Sequence, residues 1–467
     1  MDLSRYTDGF FGVNSKNGFL PIKDPLKKLP SRYNELQEVI DELPRIKDNG
    51  EEGILGLEGE IEKRVSRIPN LINLVTEEKE PFILQALFRA YSFLTSAYTL
   101  APAHFNQLKS GSYGKANQNI PEQLAVPFCK VAEKLQVYPW LDYHYSYSLG
   151  NYVKKDPSKG LNWENLEMAI KFSGMPDERG FIMLHVDINQ YSPDLLKGVF
   201  DTLEKLSVGA DKSSVNESLN KCYQSMLHIN ERRKLMWEAS RWKHYNDFRV
   251  FIMGVKGNDE IFGEGVYYNG VDEKPRQYRG QTGAQDNIIP TMDIFSGVIN
   301  HYPSNDLTTY LLDLRAYRPL CIQNFFEDLK SEMTNIHKKG LLGVLEDLKN
   351  DDGLVILLGI LEEIYLFRNG HWQFVQKYIM QNTTYSKATG GTPVISWIPN
   401  QIKAVLNAME MCINSISAET INPLFERIKE GFDSKKRLLD KQLEMLNTDS
   451  YSPEEVYKLN EKHKLED

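Results

Sequence analysis

Cysteine is scarce in this chain of 467 residues, which contains four of them. They lie far apart and no two form a CxxC pair: Cys129, Cys222, Cys321 and Cys412. This spacing argues against a structural zinc site and against a disulfide scaffold, and it fits a reducing cytoplasm. We therefore expect a cytoplasmic protein whose fold depends on packing rather than on cross-links.

Long apolar runs and an excess of basic residues are absent as well. The best apolar run, Leu354 to Leu361, falls far short of the roughly 20 residues that span a bilayer. The first residues lack the charged and apolar segments of a secretory signal, so we expect none. A formal net charge of -9 argues against nucleic acid or an anionic membrane as a partner, because both select basic surfaces.

The motifs of several common enzyme classes are also missing. Two loops rich in glycine, serine and threonine, residues 278–286 and 386–393, have neither GxxxxGK[ST] nor GxGxxG spacing. Neither HExxH nor GxSxG occurs anywhere in the chain. These loops are therefore typical of flexible segments, such as a lid over a site, rather than of phosphate-binding loops.

Most of the chain has apolar residues at three- and four-residue steps, which predicts an all-α fold. Only EGVYYNGV, residues 264–271, indicates a short extended piece or hairpin. KKDPSKGLNW, residues 154–163, is typical of a linker. We therefore predict a smaller N-terminal helical domain (1–160), a larger C-terminal helical domain (161–417) and a charged helical extension (418–467).

Three polar side chains share the apolar faces of predicted helices: His185, Arg249 and His371. A buried arginine without a partner is costly, so Arg249 requires an internal carboxylate or an anionic ligand. His371 lies on the apolar stripe of FRNGHWQFVQKYI. There it is either a core imidazole bonded to a carbonyl or an axial ligand to haem iron. The local pattern leaves both interpretations open.

Segments along the chain resemble those of the indoleamine 2,3-dioxygenases, in the same order. RNGHWQFVQKYI followed by ATGGTPVISWI is similar to their proximal haem helix and mobile Gly-Thr loop, and FRVFIMGVKGN to the helix with their substrate-binding arginine. Further similar segments are IPEQLAVPFCKVAEKLQVYPWLDY, NYVKKDP, YRGQTGAQDNIIPTMDIFSGV and DLRAYRPLCIQNFFEDL. The resemblance extends to about residue 415. It implies a helical enzyme in which haem b and O2 act on a small indole substrate.

The resemblance also implies roles for single residues. His371 would be the proximal ligand of the haem iron, and Asp293 would help to orient it. Arg249 would bind the carboxylate of an amino-acid substrate through charge-assisted hydrogen bonds. Other residues would line the substrate pocket or form the loop that closes over it: Phe181, Thr282, Gly283, Thr389, Gly390 and Gly391.

Three pocket positions depart from the family pattern. His185 replaces the distal serine of the animal enzymes and is similar to the distal histidine of the tryptophan 2,3-dioxygenases. His244 replaces an aromatic residue before Arg249. The distal stretch is HYSYS, in which His144 and Tyr147 are expected to contact substrate. His185 would accept a hydrogen bond from the indole N–H or donate one to bound oxygen, and its tautomer decides between the two.

The implied reaction inserts both atoms of O2 across the indole C2–C3 bond, which converts tryptophan to N-formylkynurenine. The polar groups in the pocket leave a second haem reaction open, namely monooxygenation or oxidative rearrangement of a modified indole. A third interpretation is a haem or gas sensor without turnover, for which the charged segment after Ala418 would be the output surface.

Overall fold

The computed structural model describes residues 3–303, 306–380 and 394–447. Helices dominate this part of the chain, which confirms the predicted all-α fold class. No helix among the described residues is long and apolar enough to cross a membrane. Two single-turn π-helices are Tyr143–Tyr147 and Gln376–Met380. The α-helices are α1 (Asn34–Asp41), α2 (Glu60–Val65), α3 (Ile72–Glu77), α4 (Pro81–Ser110), α5 (Glu122–Leu135), α6 (Pro176–Asn189), α7 (Ser192–Ser207), α8 (Lys212–Lys234), α9 (Met236–Ala239), α10 (Asn246–Arg249), α11 (Asp259–Phe262), α12 (Ile288–Ser296), α13 (Asp306–Arg315), α14 (Leu320–Ile336), α15 (Leu341–Asp347), α16 (Asp351–Val375), α17 (Val394–Ser415) and α18 (Pro423–Asn447).

Strands are short and pair in twos. They are β1 (Asn119–Ile120), β2 (Tyr152–Lys154), β3 (Leu166–Met168) and β4 (Tyr267–Tyr268). β4 lies in the stretch predicted to be an extended piece or hairpin and pairs in parallel with the distant β1, while Val266, directly before β4, pairs antiparallel with the nearby Arg276. β2 and β3 are antiparallel, and most of the predicted linker forms the loop between them. Strands of two or three residues are too short for a period-two pattern, which is recognised over about four to eight residues.

The long helix α4 runs through the interior of the protein. Pro81 occupies its first turn, and the Glu80 carboxylate caps it by accepting a hydrogen bond from the Ile83 amide at 2.7 Å. Gly111 ends it in the left-handed conformation, with a φ of 78°. Nearly all side chains of residues 82–104 are buried, which is typical of a central helix rather than an amphipathic one. α4 packs against α5 and the first π-helix, and so supports one wall of the site.

A second group of helices surrounds α16, which contains His371. α16 begins after Asn350, whose side-chain oxygen accepts a hydrogen bond from the Gly353 amide at 3.1 Å. α8 and α17 both pack against α16, and α7 packs against α8. Ile360 and Ile364, one turn apart on α16, have no accessible surface. The proximal helix is therefore fixed on several sides by apolar contacts.

Helix α18 belongs to the same packed body as α16 and α17, both of which it contacts. Its Lys435 ammonium lies 2.6 Å from the Glu362 carboxylate of α16, and the two side chains are only 4% and 2% exposed. The segment predicted to be a charged extension therefore contains a helix that packs on α16, and one of its charged residues, Lys435, forms an internal ion pair. The division into domains at residues 160 and 417 stays a prediction.

Candidate active site

Helix α6 presents Phe181 and His185 on one face, one turn apart. Their ring centroids lie 5.8 Å from each other in an edge-to-face arrangement. Residues 182–184 between them are fully buried, whereas both rings retain some accessible surface. Burial nevertheless lowers the pKa of His185. The accessible surface of these rings therefore borders a space inside the protein and not bulk solvent.

His371 lies on α16, as predicted, and its ring is both accessible and surrounded by protein. Its ring has a large accessible surface, yet burial among protein atoms lowers its pKa to about 4. Both hold when a ring lies deep in a protein and faces a void. Positive charge on His185 and Arg233 lowers this pKa further. Because such interactions weaken with distance, His185 and His371 lie near enough to each other for their charges to interact.

The hydrogen bonding of His371 distinguishes between the two interpretations of this residue. In the part of the chain that the structure describes, its ring makes no hydrogen bond. A core imidazole is normally bonded to a carbonyl or another polar group. A neutral imidazole whose ring nitrogen atoms make no hydrogen bond within the described residues can instead coordinate a haem iron. The residues present therefore fit the cofactor that the family resemblance implies.

The proximal side contains a buried ion pair close to His371. Arg368, one turn before His371 on α16, donates to the Asp293 carboxylate at 2.5 Å. Tyr302 also donates to Asp293, and the Gln401 side-chain oxygen accepts from Arg368 at 3.0 Å. Burial raises the pKa of Asp293, and the charge of Arg368 opposes this effect. Asp293 thus anchors α16 through Arg368, one turn before His371. Among the described contacts, Asp293 makes no hydrogen bond to His371 itself.

Arg233 is a proximal residue that the sequence analysis missed. Its guanidinium lies 5.9 Å from the ring centroids of both Phe367 and Phe374 on α16. A Cβ atom added to Gly370 would fall 1.8 Å from its Nη1 atom, so the guanidinium lies against the backbone beside His371. Arg233 continues the buried face of α8 one turn after Ile229. That helical spacing is the signal that could have identified it.

A hydrogen-bonded group of buried side chains supports His185 from behind. The Tyr143 hydroxyl lies 3.2 Å from His185 Nδ1 and donates to Asp286 Oδ2 at 2.9 Å. Asp286 also accepts from the Asn189 amide at 2.8 Å and from the Ile288 backbone N–H at 2.9 Å. Burial raises the pKa of Tyr143 well above its usual range, so this hydroxyl keeps its proton. Neither Tyr143 nor Asp286 was predicted from the sequence as a site residue.

His144 and Tyr147, expected in the substrate pocket, lie in the core beside that group. Neither has accessible surface. His144 Nε2 pairs with the Asn287 side chain at 3.0 to 3.2 Å, and the Tyr147 hydroxyl donates to Glu178 at 3.2 Å. Burial lowers the pKa of His144 to about 3 and raises that of Tyr147. Their contacts are with protein groups, and their role in substrate binding stays a prediction.

Arg249 is fully buried at the end of α10. Its positive charge opposes the effect of burial, which raises the pKa of Tyr245, so the two side chains lie close together; the Tyr245 ring centroid lies 5.2 Å from that of Phe181. The Phe248 ring lies 5.8 Å from the Phe181 ring. The structure thus brings the predicted arginine to the aromatic group that borders the internal space next to His185.

The remaining predicted positions fall into three groups. His244 is half-buried, and its Nδ1 lies 3.2 Å from the Asp247 carboxylate; Tyr245, the next residue, makes the contact with Phe181. Thr282 caps a 3-10 turn, and a Cβ atom on Gly283 would lie 3.4 Å from His185 Cε1, so this loop packs against the distal imidazole. Thr389, Gly390 and Gly391 lie outside the described residues.

Comparison with known proteins agrees with this geometry. The family model for indoleamine 2,3-dioxygenase matches residues 8–442. Indoleamine 2,3-dioxygenase 1 of Rattus norvegicus is 26% identical over 414 residues, which cover 83% of this chain and 92% of that protein. An indoleamine 2,3-dioxygenase of Aspergillus candidus is 25% identical over 410 residues, which cover 83% and 94%. The chain therefore belongs to the indoleamine 2,3-dioxygenase family of haem-dependent dioxygenases.

Proposed function

We propose that this enzyme inserts both atoms of O2 across the C2–C3 bond of tryptophan or a related indole, giving a product of the N-formylkynurenine type. The observation that carries the proposal is the pair of imidazoles, His185 and His371, which both retain accessible ring surface although burial lowers their pKa values, and which lie near enough to interact electrostatically. His371 makes no hydrogen bond within the described chain, and His185 Nδ1 lies 3.2 Å from the Tyr143 hydroxyl. A flat cofactor would lie beside His371, and an aromatic substrate would lie beside His185.

His371 would hold the cofactor through its free ring nitrogen. The low pKa of this histidine favours the neutral imidazole that coordinates iron at neutral pH. The sequence has no CxxC pair that could attach a porphyrin covalently, which supports haem b. Haem bound in this way would supply the activation of O2. Arg368 and Asp293 would keep the helix that bears the ligand in place.

Phe181 and Arg249 would orient the substrate. The Phe181 ring offers an apolar face against which an indole ring can pack. The Arg249 guanidinium can bind a carboxylate in a bidentate manner, which fixes the amino-acid end of tryptophan. Two anchors at opposite ends of the substrate would fix the position of the indole carbons, and holding reacting atoms in the right geometry lowers the barrier to reaction.

The first test is the loss of haem from a His371→Ala variant. We expect the purified variant to lack the Soret band, because the iron loses its only proposed protein ligand. His228→Ala, which changes an exposed histidine on the outer face of α8, is the matched control and should retain haem. A normal Soret band in His371→Ala would refute the ligand assignment.

The second test is the mass of the product. The ferrous protein is titrated with tryptophan and other indoles without oxygen, and O2 is then added. A gain of two oxygen atoms supports dioxygenation. A gain of one indicates monooxygenation, and binding of haem or gas without consumption of any indole indicates a sensor.

A further inference from the structure

The distal histidine can act in two opposite ways, and the hydrogen bonds behind it decide between them. A neutral imidazole carries one N–H and one lone pair, so His185 presents either a donor or an acceptor to the substrate space. Burial lowers its pKa, although the negative charge of Asp286 opposes this effect. The neutral form is therefore the relevant one at physiological pH.

The direction of each hydrogen bond follows from Asp286. An ionised carboxylate can only accept, and Asp286 accepts from the Tyr143 hydroxyl at 2.9 Å, from the Asn189 amide at 2.8 Å and from the Ile288 backbone at 2.9 Å. The single proton of the Tyr143 hydroxyl therefore points to Asp286. A lone pair of the hydroxyl oxygen is left facing His185 Nδ1 at 3.2 Å.

His185 must then be the donor in that contact. With its proton on Nδ1, the neutral ring has an unprotonated Nε2. In the described chain Nδ1 is the ring atom that is hydrogen-bonded, and the ring of His185 retains accessible surface. We propose that Tyr143 and Asp286 form a positioning relay that holds His185 in its Nδ1–H tautomer, so that Nε2 accepts a hydrogen bond from the indole N–H.

The relay has a rigid base. Arg318 is 2% exposed and donates to the backbone oxygen of Asp286 at 3.0 Å and to the Asn287 side chain at 2.9 Å. The same Asn287 side chain pairs with His144. These contacts fix the loop that carries Asp286 to the π-helix that carries Tyr143. The carboxylate and the hydroxyl therefore keep their separation without help from a ligand.

Selective ¹⁵N-histidine NMR of the diamagnetic ferrous carbon monoxide complex reads the tautomer directly and requires no turnover. In the wild type we expect the Nδ1–H tautomer for the His185 signal, identified among the nine histidines by its loss in His185→Gln. Tyr143→Phe removes the acceptor and should produce a mixture of tautomers. Asp286→Asn, in which the amide can donate to the hydroxyl, should shift the population toward Nε2–H. A wild-type Nε2–H tautomer, or one unchanged in both variants, would overturn the relay.

A substrate pair tests the consequence for recognition, which rests on the proposed function. Tryptophan has the indole N–H and 1-methyltryptophan lacks it. We expect Tyr143→Phe to reduce the wild-type preference for tryptophan, measured as a ratio of kcat/KM values, about three- to tenfold. Tyr145→Phe is the matched control, because this neighbouring hydroxyl also donates to a carboxylate, that of Asp8, and it should leave the ratio unchanged.

The two experiments separate the relay from the proposed function. If the wild type consumes no indole, the proposed function fails, while the NMR result still decides the tautomer. If Tyr143→Phe and Tyr145→Phe change the substrate ratio equally, the effect is general destabilisation and the relay is refuted.

Discussion

Arg249 allows a quantitative test of how the substrate is anchored. Its side chain is fully buried and lies near Tyr245, which packs on Phe181. Removing one partner of a buried charge pair costs about 2 to 5 kcal/mol. For Arg249→Gln we therefore expect the Kd of tryptophan to rise roughly 30-fold to several thousand-fold, since about 1.4 kcal/mol corresponds to a factor of ten.

The assay is a titration of the haem-loaded protein, in which ligand binding is followed by the change in the haem spectrum. Tryptamine, which has the indole but no carboxylate, is the matched ligand, and its affinity should change much less. Arg249→Lys keeps the charge but loses the bidentate fork, so an intermediate loss is expected. Equal weakening of tryptophan and tryptamine in Arg249→Gln would show that the arginine supports the pocket without binding the carboxylate.

Two further predictions concern stability. Lys435→Met removes the cation that pairs with the buried Glu362 carboxylate, so the free energy of unfolding should fall by about 3 to 5 kcal/mol. Adding Glu362→Leu to the same chain should recover most of the loss. The denaturant midpoints of the single and double variants measure both effects. His104 and His144 have pKa values of about 4 and about 3 when folded, below their ordinary 6.5. Only the unfolded state then binds these protons near pH 5, so stability should be full above about pH 6.5 and fall as the pH is lowered toward 4. His144→Asn should flatten that decline, and an unchanged pH profile of the urea midpoint would contradict the burial argument.

The sequence was sufficient for features that depend on local spacing. Helix α16, with His371 inward, follows from apolar residues at three- and four-residue steps. The same holds for Phe181 and His185 on α6, which lie one turn apart and face one way. The prediction of an inward arginine at position 249 agrees with its complete burial. In each case the side chain's direction is set by its own helix, which is why a pattern within one segment was enough.

Features that depend on contacts between distant segments were not predictable. Tyr143 and Asp286 are 143 residues apart in the chain, and nothing in the local sequence of either indicates the other. His144 and Tyr147 were expected in the pocket because the family resemblance places HYSYS on the distal side; in the structure these two side chains contact Asn287 and Glu178 from a π-helix. A π-helix has a different angular step from an α-helix, so helical spacing does not predict which of its residues face a neighbour.

His185, which departs from the family pattern on the distal side, depends on a hydrogen-bond partner in another segment of the chain. A histidine at position 185 brings a ring N–H into a buried site, and an unpaired buried donor is costly. The hydroxyl of Tyr143, the residue directly before the HYSYS stretch, accepts that N–H, and Asp286 fixes the direction of the hydroxyl. A serine at position 185 would be too short to reach the same oxygen and would leave the Tyr143 lone pair without its donor. His185 and Tyr143 should therefore be replaced together: the double variant His185→Ser/Tyr143→Phe should be more stable to denaturant than His185→Ser alone, and the opposite order would show that the two residues are independent.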